Sequence, residues 1–151
     1  MADWDKVTHI CFSARDKDHR AEWFTRVLGF RVFDEGAGAD WRGVLLRHAG
    51  SVTVIQFQQH DQNHDEEVGP RRTGLHHIGC KVGSPDALKQ WKEDFEALNI
   101  DYAPITDRDY GPGLIFQDPG GRQFEMFYRA DHPAAGRSAD RPILHGRDRS
   151  A

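Results

Sequence analysis

The sequence predicts an α+β fold of two tandem βαβββ modules, which form a curved, half-barrel-like mixed sheet of eight strands with the helices outside. A strand-like segment, an amphipathic helix and three further strand-like segments occur in this order twice along the chain. His9 and Trp23 are 14 residues apart, and so are His77 and Trp91, which gives an offset of 68 residues between the halves at both positions. A repeated spacing of this kind indicates duplication of one supersecondary unit.

The first module is expected over residues 5–60. Asp16 is a suitable N-cap for its helix, and Gly29 follows the helix where a left-handed residue commonly ends one. The opening strand is predicted over 7–14, and the later strands over 30–34, 41–47 and 52–59. The glycine-rich segment 35–40 is predicted to be a turn.

The second module is expected over residues 74–130, after a polar linker over 61–73. Ser84 and Pro85 begin its helix as N-cap and first helical residue. Its apolar stripe, spaced by three, four and three residues, consists of Leu88, Trp91, Phe95 and Leu98. The strands are predicted over 75–82, 102–105, 114–117 and 123–128, with a hairpin turn over 118–121. The polar residues 131–151 are predicted to be a flexible tail.

The composition restricts the class of protein. The net charge is −4 and the basic residues are scattered, which argues against nucleic acid as a partner. The sequence has no apolar run of about 18 residues, so no membrane span is expected. Residues 1–6 lack the features of a signal peptide, so a cytoplasmic location is expected. Cys11 and Cys80 are therefore predicted to be reduced, partly buried thiols.

The chemistry depends on which way the strand side chains point. Side chains alternate between the two faces of a strand, and in each half the apolar set faces the helix. His9 and Gln56 in the first module, and His77 and Glu125 in the second, then lie on the face away from the helix. If the sheets curve toward each other, two imidazoles, an amide and a carboxylate converge into a plausible site for a first-row divalent metal.

The individual signals differ in weight. A single strand histidine is more often structural than a metal ligand, whereas Glu125 stands between two apolar residues, where a carboxylate needs a partner. His76 is the alternative ligand if the register is shifted by one residue. The segment 110–113, Tyr-Gly-Pro-Gly, is either a mobile loop at the mouth of the pocket or an ordinary turn.

Three segments carry a resemblance to a known family: Val-Thr-His-Ile at 7–10, His-His-Ile at 76–78, and Phe-Gln-Asp-Pro-Gly-Gly-Arg-Gln-Phe-Glu-Met-Phe at 116–127. They look like the vicinal oxygen chelate superfamily (glyoxalase, bleomycin resistance, dioxygenase) over about residues 5–130. The resemblance implies one divalent ion (Zn, Ni, Co, Mn or Fe) whose ligands are His9, Gln56, His77 and Glu125. This His/Gln/His/Glu pattern is similar to that of methylmalonyl-CoA epimerase and close to that of glyoxalase I.

The resemblance implies a lyase or isomerase that acts on a small molecule with vicinal oxygens through a metal-stabilised enediolate, with Glu125 as the proton shuttle. The alternative is an extradiol-type dioxygenase, in which His9, His77 and Glu125 form a 2-His-1-carboxylate triad. Such dioxygenases resemble one another in a tyrosine ten residues before the glutamate, where this chain has Ile115. A fosfomycin-modifying enzyme and a non-catalytic drug-binding protein are further alternatives. The resemblance also implies a homodimer, and the site could form within one chain or across two.

Overall fold

The computed structural model describes residues 6–63, 68–69 and 71–130. The first module contains β1 (Ile10–Ser13), α1 (Lys17–Leu28), β2 (Phe30–Ala37), β3 (Trp41–His48) and β4 (Val54–His60). The second contains β5 (His77–Lys81), α2 (Pro85–Ala97), β6 (Thr106–Arg108), β7 (Gly111–Gln117) and β8 (Gln123–Phe127). The βαβββ order therefore occurs twice, as predicted.

The strands pair in the same way in both modules. The first sheet has the order β1-β4-β3-β2 and the second the order β5-β8-β7-β6. In each sheet the first and last strands of the module are parallel neighbours, and the other pairs are antiparallel. The α+β class and the tandem modules are confirmed. Over the residues that the structure describes, the eight strands form two separate four-stranded sheets and do not close into a barrel.

Local sequence signals explain where the helices begin and end. The Asp16 side chain accepts hydrogen bonds from the backbone N–H groups of Asp18 and His19 at 3.0 and 2.9 Å. Gly29 ends α1 with φ at 71°, which glycine adopts without steric cost. In the second module, Ser84 accepts a hydrogen bond from the backbone N–H of Ala87 at 3.2 Å. These caps occur at the predicted positions.

Several strand predictions were wrong at their edges. Strand β1 begins at Ile10 rather than at residue 7, and β7 begins at Gly111 rather than at residue 114. The predicted strand over 102–105 is reduced to an isolated bridge between Tyr102 and Phe116, and the edge strand β6 begins only at Thr106. Pro104 explains this shift, because proline has no N–H to donate to a sheet. Strand β2 continues to Ala37, through the first half of the predicted turn over 35–40.

Helix α1 lies between the two sheets. The Phe24 ring is 4.9 Å from that of Phe57 on β4 and 5.7 Å from that of Phe124 on β8, measured between ring centroids. Trp23 contacts Phe116 of β7 at 6.3 Å. Both sheets therefore direct their helix-covered sides, here called the inner faces, toward one shared core. Their opposite sides, the outer faces, point away from each other.

The two cysteines lie on different faces and are free thiols. Cys80 is partly buried on the inner face of β5, as predicted. Cys11 is exposed on the outer face of β1, so the prediction of partial burial was wrong for this thiol. Its sulfur lies 3.7 Å from Oε1 of Gln58 on the neighbouring strand.

The connections and ends are only partly described. Strand β4 ends at His60 and β5 begins at His77, while the predicted linker 61–73 includes residues outside the described set. The predicted tail, 131–151, lies wholly outside it. Among the described residues, neither helix has the length and apolar character that a membrane span requires.

Candidate metal centre

Glu125 is the best-defined polar group on the outer face of the second sheet. Only 5% of the residue is exposed. A carboxylate is rarely buried without polar partners, and Glu125 has several. Its two oxygens have different neighbours. Oε2 lies 3.6 Å from Nε2 of His77. Oε1 accepts a hydrogen bond from the Tyr110 hydroxyl at 2.6 Å and lies 3.5 Å from Nε of Arg108.

Strand register explains why His77 and Glu125 meet. In the parallel pair β5–β8, Gly79 stands opposite Glu125, so His77 is the diagonal neighbour of Glu125 on the same face. Strand β7 contributes Gly113 on the other side. A methyl group at Gly113 would lie 2.9 Å from Oε1 of Glu125, so a larger side chain there would displace the carboxylate.

His76 contacts His77. The Nδ1 atoms of the two rings are 2.8 Å apart, and the rings are nearly perpendicular. With Nδ1 of His77 engaged in this way, its Nε2 is the nitrogen that faces Glu125. Histidine ligands of metals commonly use one nitrogen for the metal and the other for an orienting hydrogen bond. The register of β5 with β8 places His77 on the face of Glu125, which argues against a one-residue shift with His76 in the place of His77.

His9 and Gln56 lie in the first module. Gln56 is half-buried on the outer face of β4, opposite Cys11 in the register with β1. A methyl group at Gly43 on β3 would lie 3.1 Å from Nε2 of Gln56, which repeats the relation of Gly113 to Glu125. His9 is exposed, lies one residue before β1, and has its Nδ1 3.1 Å from the hydroxyl of Thr8.

The four predicted ligands thus form two pairs on two sheets. Because the shared core separates the inner faces, the outer face that carries Gln56 points away from the one that carries Glu125. Within the described part of the chain, no group of three or more histidine, cysteine, aspartate or glutamate side chains is arranged to hold a metal ion. The structure brings His77 and Glu125 together, whereas Gln56 lies on the first sheet and His9 lies one residue before strand β1 of that sheet.

The pair His77 and Glu125 fits half of a divalent-metal site. Two donors bound to one ion at about 2.1 Å would be separated by about 3.0–3.4 Å, for angles between octahedral and tetrahedral. The 3.6 Å between Nε2 of His77 and Oε2 of Glu125 is close to this range. Imidazole nitrogen and carboxylate oxygen are also suitable donors for first-row metals. The role of all four ligands remains a prediction.

Tyr110 and Arg108 are the residues that the sequence interpretation missed. Tyr110 lies in the turn between β6 and β7, and the following Gly-Pro-Gly belongs to β7, so the segment 110–113 is not a separate loop. Burial, and then the hydrogen bond to Glu125, raise the pKa of Tyr110, which keeps its hydroxyl protonated as a donor. Arg108 reaches Glu125 from the end of β6 and Tyr110 reaches it from the turn before β7, which strand prediction from the sequence does not reveal.

Comparisons with known proteins agree with this fold. The family model described as Glyoxalase/Bleomycin resistance protein/Dioxygenase superfamily matches residues 6–126. A glyoxylase/bleomycin resistance protein/dioxygenase domain from Frankia sp. EAN1pec has a TM-score of 0.76 and 22% identity, with 84% of this chain and 99% of that chain covered. A mutant of the fosfomycin resistance protein FosX from Listeria monocytogenes, complexed with Mn(II) and 1S,2S-dihydroxypropylphosphonic acid, has a TM-score of 0.62 and 15% identity, with 82% and 92% covered.

A sequence relative adds one enzyme. The chain is 24% identical over 132 residues to a metapyrocatechase of Geobacillus stearothermophilus, with 86% of this chain and 36% of that protein covered. The chain therefore spans about a third of the length of this relative. The match of the family model extends from before β1 into β8 and thus includes both modules. The chain belongs to the glyoxalase/bleomycin resistance protein/dioxygenase superfamily.

Proposed function

We propose that this chain is a divalent-metal-dependent enzyme of the lyase or isomerase type, which acts on a small molecule with two neighbouring oxygens. The observation that carries the proposal is Glu125, a buried carboxylate whose Oε1 is held by Tyr110 and whose Oε2 faces His77. Burying a carboxylate costs free energy. An apolar side chain at the same strand position would avoid this cost if the position had only a structural role. A functional role for Glu125 accounts for that cost.

His9, Gln56, His77 and Glu125 are the residues proposed to hold the ion. When bound, a Zn, Ni, Co, Mn or Fe ion polarises the substrate oxygens and so acidifies the neighbouring C–H group. Glu125 is proposed to carry the proton away from that carbon and return it, as a carboxylate general base. Tyr110 keeps the carboxylate in one orientation, because its hydroxyl donates to Oε1.

We further infer that a second copy of the chain completes each site. The two outer faces point away from each other, so His9 and Gln56 of one copy need His77 and Glu125 of another. Strands β1 and β5 are end strands of their sheets. A two-fold dimer that places β1 of one copy beside β5 of the other would produce two equal sites. It would also form the predicted eight-stranded curved surface, from two chains.

A second candidate is a ring-cleaving dioxygenase. The similarity to metapyrocatechase favours it, and so does the hydrogen bond from Tyr110 to Glu125. Isoleucine at position 115, where such dioxygenases share a tyrosine, speaks against this function; Ile115 stands opposite Glu125 in the β7–β8 register. Tyr110 supplies a tyrosine to the same carboxylate at a different spacing, so that argument loses its force.

Metal content and two assays test the proposal. The wild-type protein is expected to bind about one divalent ion per chain, and Glu125→Gln should weaken this binding by about tenfold or more. Elemental analysis and calorimetric titration measure both values. Deuterium exchange into hydroxyacetone reports proton transfer next to a carbonyl, whereas oxygen consumption with catechol reports the dioxygenase.

The variants separate the outcomes. His77→Ala should lose the metal, while Arg26→Gln, an exposed change on α1, should keep it. Metal-dependent exchange without oxygen uptake supports the lyase or isomerase, and oxygen uptake supports the dioxygenase. A wild-type protein that takes up no metal would leave a non-catalytic binding protein as the function.

A further inference from the structure

Arg108 is a cation beside the candidate metal centre that the proposed chemistry does not use. It is the last residue of β6, its Nε lies 3.5 Å from Oε1 of Glu125, and 37% of its side chain is exposed. A guanidinium has five N–H donors in a planar fork, so one close approach to a carboxylate oxygen leaves donors for a second acceptor. Arg108 is thus placed at the border between the buried carboxylate and the open side of the sheet.

We infer that Arg108 binds an anionic group of the substrate, so that the substrate is a small molecule with a carboxylate or a similar oxyanion next to its chelating oxygens. This inference rests on the proposed function. It names the substrate class for the same site and the residue that selects it.

The charges on the outer face favour this assignment. In the structure, Glu125 is the counter-ion of Arg108. A divalent ion held by two imidazoles, one amide and one carboxylate keeps a net positive charge. If Glu125 binds that ion, its negative charge is shared with the metal. Arg108 is then a second positive charge, which Glu125 no longer fully neutralises. A substrate with an anionic group restores the balance, whereas a neutral substrate does not.

The surroundings of Arg108 also suit a small planar anion. Tyr110 and Phe127 meet edge to face with ring centroids 5.9 Å apart, which forms an aromatic wall beside the polar groups. A methyl group at Gly79 would lie 3.3 Å from the Phe127 ring. Because glycine has no side chain, space remains on the outer face beside the two aromatic rings. A guanidinium pairs with a planar carboxylate through two parallel hydrogen bonds, which gives both affinity and orientation.

The test uses Mn²⁺-loaded full-length protein and two probes. Oxalate has neighbouring oxygens and negative charge, and hydroxyacetone has neighbouring oxygens without charge. Arg108→Gln is expected to lower the affinity for oxalate by about tenfold or more, with little change for hydroxyacetone. Arg108→Lys should show an intermediate loss, because it keeps the charge but not the planar fork. Calorimetric titration measures each affinity, with Arg26→Gln as the control for removal of one exposed positive charge.

Metal affinity separates this role from a structural one. If Arg108 only holds Glu125 in place, Arg108→Gln should weaken Mn²⁺ binding. The inference predicts unchanged or tighter Mn²⁺ binding, because a cation near a ligand oxygen is removed. Normal Mn²⁺ binding with unchanged oxalate affinity in Arg108→Gln would overturn the inference alone. A wild-type protein that binds no Mn²⁺ would overturn both the inference and the proposed function.

Discussion

The outer faces of the two sheets have equivalent strand positions, but their polar side chains differ in charge. In each module, the last strand presents one oxygen donor beside a glycine of the neighbouring strand, Gly43 beside Gln56 and Gly113 beside Glu125. The donor of the first module is a neutral amide; the strand residue opposite it is Leu45, just as Ile115 is opposite Glu125. The donor of the second module is a carboxylate with three polar neighbours.

This difference indicates a division of roles between duplicated halves. The second module supplies the negative charge and the residues that orient it, so it should dominate the affinity for a cation. In the proposed site, the first module would supply neutral donors, which would add coordination without changing the charge. Gln56 and Glu125 occupy equivalent strand positions in the two modules. The repeated fold therefore accounts for their similar placement, and the difference in residue type accounts for the difference in charge.

We expect the largest effect on stability from removing the Phe24 ring, which lies between the inner faces of the two sheets. Phe24 is fully buried and contacts aromatic rings of both sheets. We expect Phe24→Ala to lower the free energy of unfolding by about 3–5 kcal/mol, because it leaves a cavity in the shared core. Urea denaturation measures this change. Phe33→Ala is the control, since Phe33 is 47% exposed and has Arg47 over its ring. Equal, small effects of both changes would show that the sheets do not share a core through α1.

The two cysteines offer a smaller test of the same arrangement. Cys11 lies on an outer face and Cys80 on an inner one. Burial raises the pKa of both thiols, and the thiolate is the reactive form. Alkylation should therefore be slow near neutral pH and should accelerate as the pH rises through the raised pKa values. At each pH Cys11 should react faster, and mass spectrometry of the labelled peptides measures both rates. Faster labelling of Cys80 would contradict the assignment of faces.

Local features of the sequence were sufficient to predict the helices and strands of each module, but not how the two modules pack against each other. Asp16, Gly29 and Ser84 act through neighbouring backbone groups, so the helix starts and the end of α1 could be predicted. Strand alternation was sufficient to place His77 and Glu125 on one face. The position of α1 between the sheets depends on contacts of Phe24 that are distant in sequence, and no local pattern reveals them.

The contacts of Arg108 and Tyr110 were hidden for a related reason. Arg108 reaches Glu125 from the end of β6 and Tyr110 from the turn that follows it. Strand β6 itself begins later than predicted because Pro104 interrupts the earlier segment. A shift of a few residues at the edge of a sheet changes which side chains face the site. Strand prediction alone therefore finds the carboxylate but not its neighbours.

The most direct test of the account is metal binding by a mixture of two inactive variants, His9→Ala and Glu125→Gln, after joint refolding. Each variant alone should bind metal weakly, because every site of the proposed dimer would lack one ligand. If each site combines halves of two copies, a mixed dimer has one intact site, and an equal mixture should recover about one quarter of the wild-type sites. Calorimetric titration counts them. No recovery in the mixture, although both variants fold and exchange subunits, would contradict a site shared between two copies.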